Sequence, residues 1–404
     1  MKKSGETLYL SAREAASELS ISAASLYAYV SRGLIRSEPS TDSRAKRYRA
    51  DDVRALRNRR TPGAAARGGE ADPPVLDSAI CTITDEGSIY RGVHAVALSE
   101  HATLEQTATL LWDISGWDPF SAANLPVISA AMRAVAAATA NEAALSRAAA
   151  ILALAGDADP RAFNRSRDGR AEVGARVMRL LAASILGSEP SVLPLHRQIA
   201  DSWTPGNKAA ADLFRRGLVL VADHELNAST YTVRCAVSTG LNLYDAIIAG
   251  LVALKGPKHG GAGPLAAHMV ADLAEGDLAA KVRRHIAMGD RIPGFGHTIY
   301  KNGDPRADSL LAALAVAGAD PRLAVEVPAR IIEATGLYPN IDFAFAVMMR
   351  MFGLPVGHES ALFAIARCAG WVAHAIEQLA SQVLIRPRAR YIGPPPGRSG
   401  GDRL

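Results

Sequence analysis

The chain has 404 residues, 49% of them hydrophobic and only 5% aromatic, with a net charge of +5. That length exceeds what one core usually supports, so two or more domains are expected, and an alanine-rich, aromatic-poor composition favours packed helices over sheets. Cys81, Cys235 and Cys368 are odd in number and lack close pairing, which excludes a disulfide framework and a cysteine zinc site, and apolar runs such as Ala246 to Leu254 are too short to span a bilayer.

Met1-Lys2-Lys3-Ser4 looks like the start of an export signal, yet charged and polar residues follow where an apolar stretch is required. The expected location is cytoplasmic, with no membrane partner. Residues 1–68 hold 14 Lys or Arg against 7 Asp or Glu, a local charge of +7, so the rest of the chain is slightly acidic. A short basic segment ahead of a near-neutral body suits a polyanion-binding module, or a solubilising face.

Three helical signals occupy residues 8–57. Ser11-Ala12-Arg13-Glu14 is a capping box, and Ala15, Ala16 and Leu19 supply the buried stripe of the helix it opens. A second helix runs from Ala23 to Arg32 with Leu26, Tyr29 and Val30 on one face, and Gly33 ends it. Ala50-Asp51-Asp52 caps a third, carrying Val53 and Leu56. Leu10 to Ala16, Ser25-Leu26-Tyr27-Ala28-Tyr29, Arg32-Gly33-Leu34-Ile35 and Arg47-Tyr48-Arg49 together resemble the MerR-type or excisionase-like winged helix-turn-helix domains, which places such a domain at residues 1–60. That resemblance implies DNA as a partner, with Ser22, Ser25, Tyr27 and Arg32 facing the major groove and Arg44, Lys46, Arg47 and Arg49 of the wing on phosphates. The alternative for the same residues is a small packing or dimerisation appendage. From Thr61 to Pro74 the sequence turns to Gly, Ala, Arg, Pro and Asp without periodicity, which reads as a linker.

Beyond it, helices rich in Ala and Leu run almost to the C-terminus, after a small hairpin at residues 81–92. Four clusters set a His, Asp or Arg beside glycines or prolines. Asp223-His224-Glu225 flanks an imidazole with carboxylates. Gly256-Pro257-Lys258-His259-Gly260-Gly261 leaves room for a bulky ligand and puts a His at a helix start, where the dipole keeps it neutral. Pro293-Gly294-Phe295-Gly296-His297 is followed by Lys301 and Arg306, cations suited to carboxylate or phosphate. In Pro339-Asn340-Ile341-Asp342-Phe343 a lone carboxylate sits among apolar residues that raise its basicity. Taken singly, each also fits a structural role.

Taken together, in order and spacing, the four clusters resemble the citrate synthase family. The resemblance begins at Ile83-Thr84-Asp85-Glu86-Gly87 and Tyr90-Arg91-Gly92 and extends through Arg367-Cys368-Ala369-Gly370-Trp371-Val372-Ala373-His374 to Ile385-Arg386-Pro387-Arg388. It implies a mainly α, two-domain helical fold over residues 75–404, with a small domain at about 258–350, the remainder forming a large domain, and a cleft that closes on substrate. It further implies a homodimer that joins acetyl-CoA or propionyl-CoA to oxaloacetate without a redox cofactor or metal. In this reading Asp342 is the base, His259 donates to the enolate oxygen and His297 polarises the ketone. His224, Arg306 and Arg367 hold oxaloacetate, joined by Arg386 from the partner subunit, and Lys301 meets CoA phosphates. Many family members carry a His three residues before the position of His224, where this chain has Val221. A second hypothesis comes from another class: a transcriptional regulator whose enzyme-like body senses a metabolite or CoA ester without turnover.

Overall fold

The computed structural model describes residues 9–19, 23–31, 34–39, 46–53, 76–287, 292–389 and 391–393. They fall into two compact units, Met1–Asp77 and Ser78–Leu404. The 61–74 linker lies outside the described residues.

In the first unit β1 (Tyr9–Ser11) leads into α1 (Ala12–Glu18), α2 (Ala23–Ser31), β2 (Ser37–Pro39), β3 (Lys46–Arg49) and the first turn of α3, described over residues 50–53. The capping box forms in both directions: the Glu14 N–H donates to Ser11 Oγ (3.3 Å) and the Ser11 N–H to the Glu14 carboxylate (2.8 Å). The strands pair antiparallel in the order β1-β3-β2, with Tyr48 opposite both Leu10 and Ser37. Ala15, Leu26, Ile35, Tyr48 and Val53 form the core between helices and sheet. The Arg36 guanidinium grips Asp52 through two bonds of 2.8 and 2.7 Å, which holds that carboxyl at about 2 and ties the chain before β2 to α3.

The second unit opens with an antiparallel hairpin, β4 (Cys81–Thr84) and β5 (Gly87–Tyr90), extended by β6 (Val93–His94). Helices follow: α4 (Ala95–Ser99), α5 (Leu104–Leu111), α6 (Ala130–Ala138), α7 (Ala144–Ala158), α8 (Arg167–Leu186), α9 (Leu195–Trp203), α10 (Lys208–Leu220), α11 (Ala228–Val237), α12 (Leu243–Leu254), α13 (Ala262–Leu273), α14 (Leu278–Ala287), α15 (Pro305–Val316), α16 (Val327–Thr335), α17 (Ile341–Met351) and α18 (His358–Ser381). One apolar core runs through them, and α18, buried from Ala361 to Ile376 on nearly every face, is its axis. Trp112 Nε1 donates to the Ala369 carbonyl of that helix (2.9 Å). Among the described residues no helix is long and apolar enough to cross a membrane.

The hairpin fixes the first of the sequence clusters. The Tyr90 hydroxyl, fully buried, lies 3.1 Å from the Val219 and Asp223 carbonyls and accepts from the Asp223 N–H (3.2 Å), while Glu225 accepts from the Ile83 N–H (2.7 Å). The segment between α10 and α11, which carries His224, is thus held by the hairpin, through the Tyr90 hydroxyl and the Ile83 N–H, rather than by helix geometry.

Candidate active site

His224, His259, His297, Arg306, Asp342 and Arg367, drawn from separate clusters of the sequence, line one cavity of about 420 Å³. Asn227, Lys258, Gly263, Asn340, Glu359 and Phe363 line it with them.

The His297 and Asp342 segments are joined backbone to backbone. Phe295 bridges Pro339, the Gly296 N–H donates to the Tyr338 carbonyl (2.8 Å) and the Asn340 N–H to the Gly294 carbonyl (2.9 Å). Gly294 sits at φ +82°, and a Cβ there would stand 2.9 Å from the Phe343 Cβ, so only glycine lets the two strands of chain approach. His297 Nδ1 accepts from the N–H groups of Ile299 (3.0 Å) and Tyr300 (3.3 Å). The proton of the neutral ring therefore belongs on Nε2, which is left as its free donor. Burial and the Arg306 charge lower the pKa of this imidazole.

Asp342 stands in the first turn of α17, capped by Asn340, whose Oδ1 accepts from the Asp342 N–H (3.1 Å). A helix start favours an ionised carboxylate, but burial outweighs it and pushes the Asp342 carboxyl up to about 6; Arg306 opposes the rise, and Asp304 and Glu359 add to it.

His259 lies in the turn between α12 and α13, with Nε2 2.8 Å from Ser229 Oγ. Trp371 Nε1 donates to the same hydroxyl (3.2 Å), so the Ser229 oxygen is fixed by the core of α18. Burial, then the charge of Arg367, drops His259 to about 4, and it is neutral at ordinary pH. His224, 8% exposed, meets the Tyr300 hydroxyl through Nε2 (3.1 Å) and is likewise held neutral by burial and by Arg306 and Arg367.

The two guanidinium groups differ. Arg306 is bound by both forks to Asp304 (2.9 and 2.8 Å), whose Oδ2 also accepts from the Ile341 N–H (3.1 Å). Asp304 thereby couples Arg306 to the start of the Asp342 helix. Arg367, 1% exposed, donates Nε to the Val221 carbonyl (2.9 Å) and lies 4.7 Å over the Phe363 ring, while one terminal nitrogen has no partner among the described residues. A buried, partly unpaired guanidinium on a cavity wall calls for an anion. The Val221 side chain itself is in the apolar core, so what reaches the site from position 221 is its carbonyl.

Some expected residues stand elsewhere. Lys301 is exposed and outside the lining, whereas Lys258, which the sequence reading left aside, is on it. Arg386 is exposed on the stretch after α18 and does not reach the cavity of its own chain. His374 is buried against Asp223 (3.4 Å) and Arg234 (3.3 Å). In the first unit, Ser22, Arg32 and Arg44 lie outside the described residues and Ser25 is described only as part of α2; Tyr27 is 55% exposed, Lys46 is exposed on β3, and Arg47 and Arg49 flank the buried Tyr48, with Arg47 4.6 Å over the Tyr9 ring. Sequence reasoning missed Ser229, Asp304 and Glu359; an Asp directly before a Pro is a helix-start signal that could have singled out Asp304, the N-cap of α15.

Comparison with known proteins gives a family description, "Citrate synthase, C-terminal domain", matching residues 69–388. A citrate synthase of Haloferax volcanii is 39% identical over 195 residues, 46% of this chain and 52% of that protein, so the match spans about half of the relative's length. 2-Methylcitrate synthase 1 of Corynebacterium glutamicum is 34% identical over 263 residues, 59% of this chain and 69% of its own. Among solved structures, the ternary complex of Thermoplasma acidophilum citrate synthase with carboxymethyl coenzyme A and oxaloacetate superposes with a TM-score of 0.67 at 25% identity, covering 82% of this chain and 97% of that one.

Proposed function

The chain belongs to the citrate synthase family, and from that premise we propose that it condenses acetyl-CoA or propionyl-CoA with oxaloacetate and hydrolyses the resulting thioester to citrate or 2-methylcitrate and free CoA. One observation carries the reading: a carboxyl raised to about 6 shares a cavity with three imidazoles kept neutral and two buried guanidinium groups. A weak acid made more basic is what removes a proton from carbon, and neutral imidazoles are donors that do not compete for it.

In this reading Asp342 takes the α-proton of the thioester and the C–H electron pair moves into the carbonyl, forming an enolate whose oxygen accepts from His259. For His259 to donate from Nδ1, the Ser229 hydroxyl turns from Asn227 Oδ1 (3.0 Å) to donate a hydrogen bond to Nε2, and the Thr230 N–H (3.0 Å) keeps that amide oxygen partnered. The enolate carbon attacks the ketone of oxaloacetate, which the Nε2–H of His297 polarises; a new C–C bond replaces the C=O π bond, whose electron pair passes to the oxygen and takes up a proton, balancing the one Asp342 removed. Water then cleaves the thioester and releases the thiol. His224, Arg306 and Arg367 hold the oxaloacetate carboxylates, and Arg386 from a second copy in a homodimer completes the set. Lys301 and Lys258 are the cations for CoA phosphates. A small domain at about 258–350 closes on the rest and shields the enolate from water. The chemistry needs no cofactor beyond the two substrates.

The test is thiol release from acetyl-CoA and propionyl-CoA with oxaloacetate, wild type against Asp342→Ala. Turnover lost in the variant supports the synthase; no turnover in folded wild type that still binds oxaloacetate favours the ligand-sensing regulator. For residues 1–60 we propose DNA binding, favoured by the exposed Tyr27 on α2 and the basic β3. A gel shift indifferent to oxaloacetate would separate that binding from events in the cavity.

A further inference from the structure

A second cavity, of about 450 Å³, follows the same two helices as the active cavity. On α17 its lining residue Ala346 lies one turn beyond Asp342, and on α13 Ala267 lies one turn beyond Gly263. Ala271, Met349, Leu354 and Val356 supply the apolar part of its wall, and Arg350 and Glu359 stand among the rest. Glu359 of α18 is the residue common to the two linings.

Glu359 is an odd residue for packing. It is 1% exposed, both carboxylate oxygens accept from the single N–H of Gly357 (2.9 and 3.0 Å), and no Lys or Arg pairs with it among the described residues. A buried carboxylate with one backbone donor is costly to keep. Its place is also reserved: a Cβ at Gly263 would stand 2.8 Å from Glu359 Cγ. Beyond it the groove between α13 and α17 continues as space that an alkyl chain would fill.

We propose that Glu359 is a specificity-determining residue that closes the acyl end of the active cavity and limits the thioester to a short acyl group. This rests on the synthase reading. Removing the side chain joins the two cavities along α13 and α17, so a linear acyl chain extends past Ala267 and Ala346 while its α-carbon stays at Asp342. Loss of a nearby charge alters the rate with every thioester together, so ratios between thioesters are the relevant readout.

The experiment measures kcat/KM for acetyl-, propionyl-, butyryl- and hexanoyl-CoA with oxaloacetate in wild type, Glu359→Ala and Glu359→Gln. Wild type falls off beyond propionyl-CoA, Glu359→Ala raises the hexanoyl to acetyl ratio about tenfold or more, and Glu359→Gln, of equal volume, keeps the wild-type order. An unchanged order in folded Glu359→Ala overturns the proposal, as does a gain for hexanoyl-CoA in Glu359→Gln equal to that in Glu359→Ala. Glu359→Thr replaces Glu359→Ala should the latter not fold. Wild type that turns over none of the thioesters is the failure of the synthase reading, and the chain-length preference is then read from acyl-CoA binding by calorimetry, with the same two outcomes.

Discussion

Asp342→Asn should inactivate the protein and stabilise it. The substitution keeps the side chain's shape and removes its charge. Folding moves the Asp342 carboxyl from its ordinary 3.8 to about 6. At about 1.4 kcal/mol per pH unit, that interval corresponds to about 3 kcal/mol spent holding the ionised form in the native state. The sign follows from proton uptake. Between 3.8 and about 6 the native chain holds a proton that the unfolded chain has released, so the favourable contribution of the protonated form is complete below 3.8 and lost as pH rises through about 6. The asparagine variant does not titrate there. It is therefore expected to exceed wild type in stability by up to about 3 kcal/mol above pH 6, a few degrees in Tm, and to converge with it near pH 4. Thermal unfolding of both proteins from pH 4 to 8 makes the measurement. The same value predicts the acid limb of kcat/KM: half its plateau near pH 6 and about a tenth of it at pH 5. A variant no more stable than wild type at pH 8, or an acid limb that falls only near pH 4, would refute the argument that burial sets this carboxyl.

Arg367→Met removes a buried guanidinium that has a nitrogen without a partner, so the empty protein should hold or gain stability, while the rise in Tm that oxaloacetate gives the wild type disappears. A rise that survives would move the carboxylate contact to another residue. His259→Ala should lower kcat about 10²- to 10³-fold with oxaloacetate affinity unchanged, and Ser229→Ala should reproduce part of that loss because it frees the Nε2 end of the ring; steady-state kinetics and calorimetry separate the two effects. Gly294→Ala combines a left-handed φ of +82° with a 2.9 Å approach to Phe343, and is expected to cost about 1–3 kcal/mol in chemical denaturation and to lower kcat as His297 and Asp342 shift together.

The parts of this molecule legible in its sequence are those written locally. Ser11 and Glu14 announce a capping box because the motif closes within one turn, and the hairpin at 81–92 reads from its own turn residues. The cavity was legible only through the resemblance, since His224, His259, His297 and Asp342 are each ambiguous in isolation and meet through tertiary packing. What stayed hidden depends on partners far along the chain. Nothing near Ser229 says that Trp371 and His259 share its hydroxyl, and Glu359 reads as an ordinary acid in the first turn of a helix until its burial is seen. Lys301 and Arg386, assigned through the resemblance, are both exposed, as a phosphate contact and a contribution to a partner subunit require.

The joint between residues 294–296 and 338–340, reinforced by the Asp304 contact to Ile341, makes the excursion from 307 to 337 a detour with pinned ends. Its helices pack on the body of the protein, but the spacing of His297 and Asp342 does not pass through them. Length changes and exchanges on the outer face of that detour are thus open to drift, or to an engineer, in a way that a single-residue change at Gly294 is not. In the economy of the fold, the reacting pair belongs to the short path between the pins, and the long path is free for other uses.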